Sequence, residues 1–154
     1  MMKRREFLTT GCGAAGALVL SGVFVSPLHA ASSSIVTSQA LNVVNAFRSK
    51  NGRRPLKADP VLARAALDHS KAMAENGKLN HNRFRARLRS FGISGAAAEN
   101  VAGGQPNLAS VVAAWEKSRG HRRNMLGNYN RAGVAVARNS ASGNRPYWTM
   151  ILAR

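Results

Sequence analysis

Acidic residues are scarce in this chain. Six Asp and Glu stand against 23 Lys and Arg, a formal charge of +17 at neutral pH. Such a balance leaves few carboxylates for catalysis or metal binding and disfavours cationic partners. Cysteine is scarcer still: Cys12 is the single one, and it lies near the N-terminus. The remainder of the chain can therefore build neither a disulfide framework nor a cysteine metal site. Long apolar runs are missing too. The stretch from Cys12 to Val25 is diluted by Gly13, Gly16 and Gly22, and it falls short of the about 20 apolar residues that span a bilayer. No GxSxG nucleophile motif, no internal repeat and no second domain are visible. A length of 154 residues suits one domain with a real hydrophobic core.

What the first thirty residues do contain is a basic start (Lys3, Arg4, Arg5), a short apolar centre and a small residue, Ala30, after PLH. That order predicts an export signal over 1–30, cleaved near Ala30, with Ala31 as the alternative. RREFL resembles the twin-arginine motif, which a receptor reads and which exports proteins already folded. Removing Lys3, Arg4, Arg5 and Glu6 with the signal takes the formal charge from +17 to +15. A mature chain so basic favours anionic partners such as acidic envelope polymers, lipid headgroups or nucleic acid. Export makes nucleic acid the weakest of these. The same charge is also consistent with a soluble cationic surface that has no specific partner.

Residues 31–37 read as a flexible lead-in, and 38–154 as the domain. From Ser38, Leu41, Val44 and Phe47 recur at spacings of three, an amphipathic helix stopping at Asn51-Gly52. Asp59 and Pro60 suit the cap and first turn of a second helix. Its stripe is Leu62, Ala66, His69 and Met73, and it ends at Asn76-Gly77. Phe84, Leu88 and Phe91 share a face, with Arg83, Arg85, Arg87 and Arg89 around the rest. AENVAGG reads as a short strand leading to a turn at Gly103-Gly104, and NLASVVAAWEKS as a helix capped by Asn107. GVAVAR and YWTMILA alternate and flank a turn, which predicts an antiparallel hairpin. Helices early, strands late and no βαβ unit give an α+β layered domain. Trp115 and Trp148 are expected as core anchors.

Five acids remain after the signal: Asp59, Asp68, Glu75, Glu99 and Glu116. Glu99 differs because it opens an apolar strand, so it is expected to be buried and to need a cationic or hydrogen-bonding partner. A histidine or a nearby arginine would supply one; Arg87 is a candidate for an ion pair with a buried acid, whose identity the sequence does not name. His81 and His121 are the imidazoles to explain, while His69 reads as structural. Two histidines can bind zinc, with carboxylate or water completing four ligands. The long spacing from His81 to Glu99 to His121 does not show convergence, and by itself it favours a hydrogen-bonded cluster that holds loops to the sheet.

The segments NHNRF, AENVAGG, AAWEKSRGHRRNML and AGVAVAR, in this order, resemble the CAP superfamily of cysteine-rich secretory, antigen 5 and pathogenesis-related 1 proteins, in its short bacterial form. The resemblance runs over about residues 38–153 and includes the paired helices of the opening segment. It implies a three-layer α-β-α sandwich with a small antiparallel sheet and a pocket lined by two histidines and acidic residues. Carried over by position, the pocket residues are His81, His121 and Glu99. The eukaryotic pattern has a glutamate three residues after the helix tryptophan; here that place is Ser118, so the acidic set is incomplete, and Glu116 should point elsewhere.

The expected function is an exported, non-enzymatic binding domain of the cell envelope or extracellular space. Its ligand would be a lipid, sterol or surface polymer, with zinc as the candidate metal at His81 and His121. Arg83, Arg85, Arg89, Arg122 and Arg123 are candidate anion-binding positions. The alternative is a metal-assisted, peptidase-like hydrolase with Glu99 as base in the same pocket; a cationic toxin rests on charge alone.

Overall fold

The computed structural model describes residues 31–154; the expected export signal lies outside the described residues. Chain order is β1 (Ser32–Ile35), α1 (Thr37–Lys50), β2 (Lys57–Ala58), α2 (Pro60–Asn76), α3 (Phe84–Ser90), β3 (Ala97–Gly103), α4 (Leu108–Lys117), α5 (Arg119–Met125), β4 (Arg131–Arg138) and β5 (Tyr147–Ala153). The sheet order is β1-β4-β5-β3, antiparallel throughout, with the short β2 added parallel to β4. GVAVAR and YWTMILA form the central hairpin as expected, from Arg131 opposite Ala153 to Ala137 opposite Tyr147.

Period-two alternation sends the strand side chains to two cores. Val134 of β4 and Trp148, Met150 and Leu152 of β5 face α1 and α4, where Val44, Phe47, Val111 and the fully buried Trp115 meet them. Ala135 and Ile151 face the other way, onto Leu62, Ala66 and Leu88 of α2 and α3. Met73, Val101 and Tyr147 extend that second core. Helices on both faces of one sheet make the α-β-α sandwich. Burying two faces at once is how a domain without disulfides reaches enough apolar area for stability.

The helix ends follow local chemistry. The Asp59 carboxylate accepts the amides of Val61 and Leu62 at 2.8 and 2.9 Å, and Pro60 occupies the first turn where a missing N–H is harmless. Asp59 also takes Arg131 at 2.6 Å, tying the start of α2 to β4. Asn107 and Ser110 form a reciprocal capping box on α4. Gly133 sits in β4 because the start of α2 lies directly on the strand: a Cβ there would overlap the backbone of Leu62 and Ala63.

Residues 32–35 differ from the expected flexible lead-in. They pair antiparallel with β4, Ser32 opposite Arg138 through Ile35 opposite Ala135. All four are exposed, so no apolar alternation marks them. Backbone hydrogen bonds to an otherwise open strand make the pairing. Thr37 completes the seam, its hydroxyl donating to the Val134 carbonyl and accepting the Val134 amide. Among the described residues no helix is long and apolar enough to cross a membrane.

Candidate functional site

β3 pairs with β5 only and leaves its other edge to the helices. Its alternation sends Glu99 toward α2 and α3, and Asn100 toward α5. The candidate site wraps around this edge.

Glu99 is buried, its side chain only 2% exposed. Arg87 Nη2 bridges both carboxylate oxygens, at 3.0 Å to Oε1 and 2.9 Å to Oε2. His81 Nδ1 donates to Oε1 at 2.9 Å, and His69 Nε2 stands 3.8 Å from the same oxygen. A buried carboxylate so surrounded satisfies the requirement that burial imposes. Arg87 is thus turned inward, unlike Arg83, Arg85 and Arg89 on the same segment. Its Nε also donates to the Asn82 carbonyl at 3.0 Å, while Nη1 is buried without a partner among the described residues.

The loop before α3 presents His81. Asn80 Oδ1 accepts the Asn82 amide at 2.9 Å, a side-chain turn of the kind asparagine favours, and the His81 carbonyl accepts the Phe84 amide at 3.3 Å. Arg83 follows in the left-handed region, φ 53°. The tight bend puts the His81 ring over Glu99 with its side chain still 54% exposed. Because Nδ1–H faces the carboxylate, the neutral ring keeps a lone pair on Nε2, pointing away from Glu99.

His69 is structural, as expected, and also belongs to the site. Its Nε2 donates to the Asn80 carbonyl at 2.8 Å, which fixes the base of the His81 loop. Burial holds this imidazole below its ordinary pKa; the Glu99 charge and the Asn80 bond pull it back, while Arg87 and His81 push it down. The stripe containing His69, set against a strand expected to carry a buried acid, was the signal that could have linked the two.

His121 lies within the short α5, past the break at Ser118, where α4 ends and α5 begins. The Ser118 side chain caps neither helix. Asn100 Nδ2 donates to the His121 carbonyl at 3.1 Å, and Asn124 Nδ2 donates to Asn100 Oδ1 at 2.9 Å and to the Glu99 carbonyl at 3.3 Å. These amides dock α5 on β3 and were not foreseen from the sequence. Burial, then the nearby charge of His81, lowers the His121 pKa. The histidines therefore approach the β3 edge from opposite faces, and His81 alone bonds to Glu99.

Donor chemistry limits a metal here. Zinc takes three or four protein ligands in most sites. Among the described residues no three His, Cys, Asp or Glu side chains group as metal ligands. Glu99 is spent on Arg87 and His81, so it suits the outer-shell role of orienting a histidine and does not fit as a direct ligand. Two imidazole nitrogens are what the site offers.

Arg83, Arg85, Arg89, Arg122 and Arg123 are all exposed. Arg85 donates to the Gly95 carbonyl at 3.0 Å, and Arg122 stacks 4.8 Å from the Phe47 ring while donating to Asn51 Oδ1. They form no single cleft.

Comparison with known proteins places this geometry. The uncharacterized protein YkwD of Bacillus subtilis (strain 168) is 36% identical over 103 residues, 62% of this chain and 40% of that protein. The chain thus spans well under half of that relative's length. An extracellular protein containing a SCP domain from Bacillus anthracis superposes with a TM-score of 0.67 at 25% identity, over 77% of this chain and 40% of the other. An outer surface protein of Borrelia burgdorferi shares the fold at a TM-score of 0.66 and 18% identity, over 80% of this chain and 98% of the other. A cysteine-rich secretory protein of Staphylococcus aureus does so at 0.63 and 22%, over 76% of this chain and 38% of the other. The model of the cysteine-rich secretory protein family, CAP, matches residues 41–152, and the chain belongs to that family.

Proposed function

We propose that this protein is an exported binding domain of the cell envelope or extracellular space, which takes a small or anionic envelope ligand at the edge of β3. The observation that carries a binding role is the state of Glu99. Its carboxylate is buried and shared among Arg87 and His81, so it acts as an anchor for the ligand-facing ring and is not free as a general base. His81, half-exposed with Nε2 outward, is the recognising group; α5, which carries His121 and follows Ser118, docks on the opposite side of the strand through Asn100. The exposed arginines of α3 and α5 supply long-range attraction for acidic polymers or lipid headgroups. Export is supported by the basic-apolar leader and by relatives described as extracellular or outer-surface proteins.

A second reading draws on the Glu99–His81 pair. A carboxylate behind an imidazole also orients histidines in hydrolytic sites and behind zinc ions. In that reading His81 Nε2 and a ring nitrogen of His121 would hold zinc, which when bound supplies a Lewis acid.

Zinc alone, added to chelator-treated, tag-free protein, separates the readings. Metal held at the site should raise the melting temperature in a saturating way, by mass action on the folded state. His81→Ala and His121→Ala should each remove the rise while remaining folded, and Ser118→Glu should tighten it. The same response in wild type and both alanine variants would leave the histidines as recognition and packing groups. Retention on anionic vesicles that is insensitive to salt would refute the charged-surface part, because screening shortens the reach of exposed charges.

A further inference from the structure

A cleft among the described residues shares no lining residue with the Glu99 site. It holds about 590 Å³ between the α1–α2 connection and the α5–β4 loop, against about 370 Å³ for the hollow beside His69 and Arg87. Arg48, Arg53, Arg54, Lys57 and Arg154 line it, with Tyr129 among them, and no acidic side chain does. None of these five cations has an ion-pair partner among the described residues. The nearby Asp59 is already engaged by Arg131.

Arg48 explains how the cleft is built. Only 2% exposed, it reaches from the last turn of α1 into both flanking loops. Its Nε donates to the Arg54 carbonyl at 2.8 Å, Nη1 to the carbonyls of Met125 and Gly127, and Nη2 to that of Tyr129 at 3.3 Å. One guanidinium thus fixes the two walls relative to each other. The carbonyls satisfy its N–H groups but do not cancel its charge, and a buried cation without a counter-ion is unfavourable. Around this fixed charge Arg53, Arg54, Lys57 and Arg154 are exposed and can turn onto a ligand. An anion bound among them would be attracted by every one.

We propose that this cleft is a second binding site, distinct from the His81–Glu99 site, for a ligand bearing phosphoryl groups with at least two negative charges. Arginine matches phosphoryl oxygens with paired, charge-assisted N–H bonds, and several such residues in a concave site discriminate against single-charge anions. The volume lies in the range of small-molecule sites and exceeds what one inorganic phosphate fills, so a pyrophosphate or a pair of linked phosphodiesters is the fitting class. Such groups occur free in solution and in lipid headgroups.

Inorganic pyrophosphate at constant ionic strength is the first probe, followed by calorimetry, with sulfate and acetate as comparators. Binding should saturate and exceed that of either comparator. The triple variant Arg53→Gln, Arg54→Gln, Lys57→Gln changes exposed side chains only and keeps Arg48 in place. It should bind about tenfold more weakly or worse, since removing one charge-assisted hydrogen bond weakens binding by roughly a factor of ten. The control Arg64→Gln, Lys71→Gln, Lys78→Gln removes equal charge from exposed positions outside both sites and should bind as wild type. Vesicles of cardiolipin, whose headgroup links two phosphodiesters, and of phosphatidylcholine then identify the source. Selective cardiolipin binding that disappears in the loop variant places the phosphoryl groups in a headgroup; retention there, with pyrophosphate binding abolished, places them in solution. No saturable pyrophosphate binding by wild type, or equal weakening in both triple variants, overturns the site. Failure of the zinc response leaves this test unaffected, because the two sites share no residue.

Discussion

Arg87→Met tests whether the buried ion pair organises the site. The substitution keeps much of the side chain's apolar stem and removes the guanidinium, whose carbon also lies 5.7 Å from the Phe84 ring centre. Glu99, 2% exposed at its side chain, would keep His81 as its one hydrogen-bond donor and forfeit both hydrogen bonds from Nη2, at 3.0 and 2.9 Å. Removing one partner of a buried pair costs about 3–5 kcal/mol, most of it from the charge left behind. For a domain of this size about 3 kcal/mol corresponds to a drop of roughly 12 °C in melting temperature. The double variant Arg87→Met, Glu99→Gln should recover part of the loss, because the stranded charge is gone; a coupling of at least about 1.5 kcal/mol is expected. Urea unfolding followed by circular dichroism measures both of these, the single variant Glu99→Gln and wild type, which completes the cycle. A single variant within about 1 kcal/mol of wild type, or a double variant no better than the single, would show that Arg87 is not the counter-charge on which Glu99 depends.

Two further outcomes are expected. Burial lowers the pKa of His69, which faces Glu99, Arg87 and His81, and of His121. Each then binds fewer protons folded than unfolded, so the metal-free protein should lose stability as pH falls below about 6.5, the unfolded histidine value, toward the folded values; melting temperatures unchanged between pH 7.5 and 5 would contradict this. Arg4→Lys with Arg5→Lys should leave the precursor in the cytoplasm, since the twin-arginine receptor reads guanidinium groups; normal export on cell fractionation would point to the general secretory route.

Much of this fold was legible because it rests on periodicity and caps. The spacing of Leu41, Val44 and Phe47, the pair Asp59-Pro60, and the alternation in GVAVAR and YWTMILA report directly which backbone conformation buries apolar surface. The same alternation made Glu99 a buried acid, and burial made a cationic partner necessary. The strand at Ser32–Ile35 left no such mark. Its side chains stay in solvent, and a backbone hydrogen bond to a neighbouring strand is open to any residue except proline.

Other decisions belong to the tertiary structure. Four arginines lie within Arg83–Arg89, chemically alike, yet only Arg87 reaches Glu99, because α3 docks on the sheet with that one turned inward. His69 and His81 come to the same carboxylate from different elements, while His121 arrives from the opposite side of β3 through amides of Asn100 and Asn124. Arg48, one cation among 23, becomes the buried brace of a basic cleft only when α1 ends beside the loop before β4. Local composition determines how each segment folds and which face it buries. Which charges end up within hydrogen-bond reach depends on how helices pack across a sheet, since an electrostatic partner is set by distance in space and carries no periodic trace along the chain.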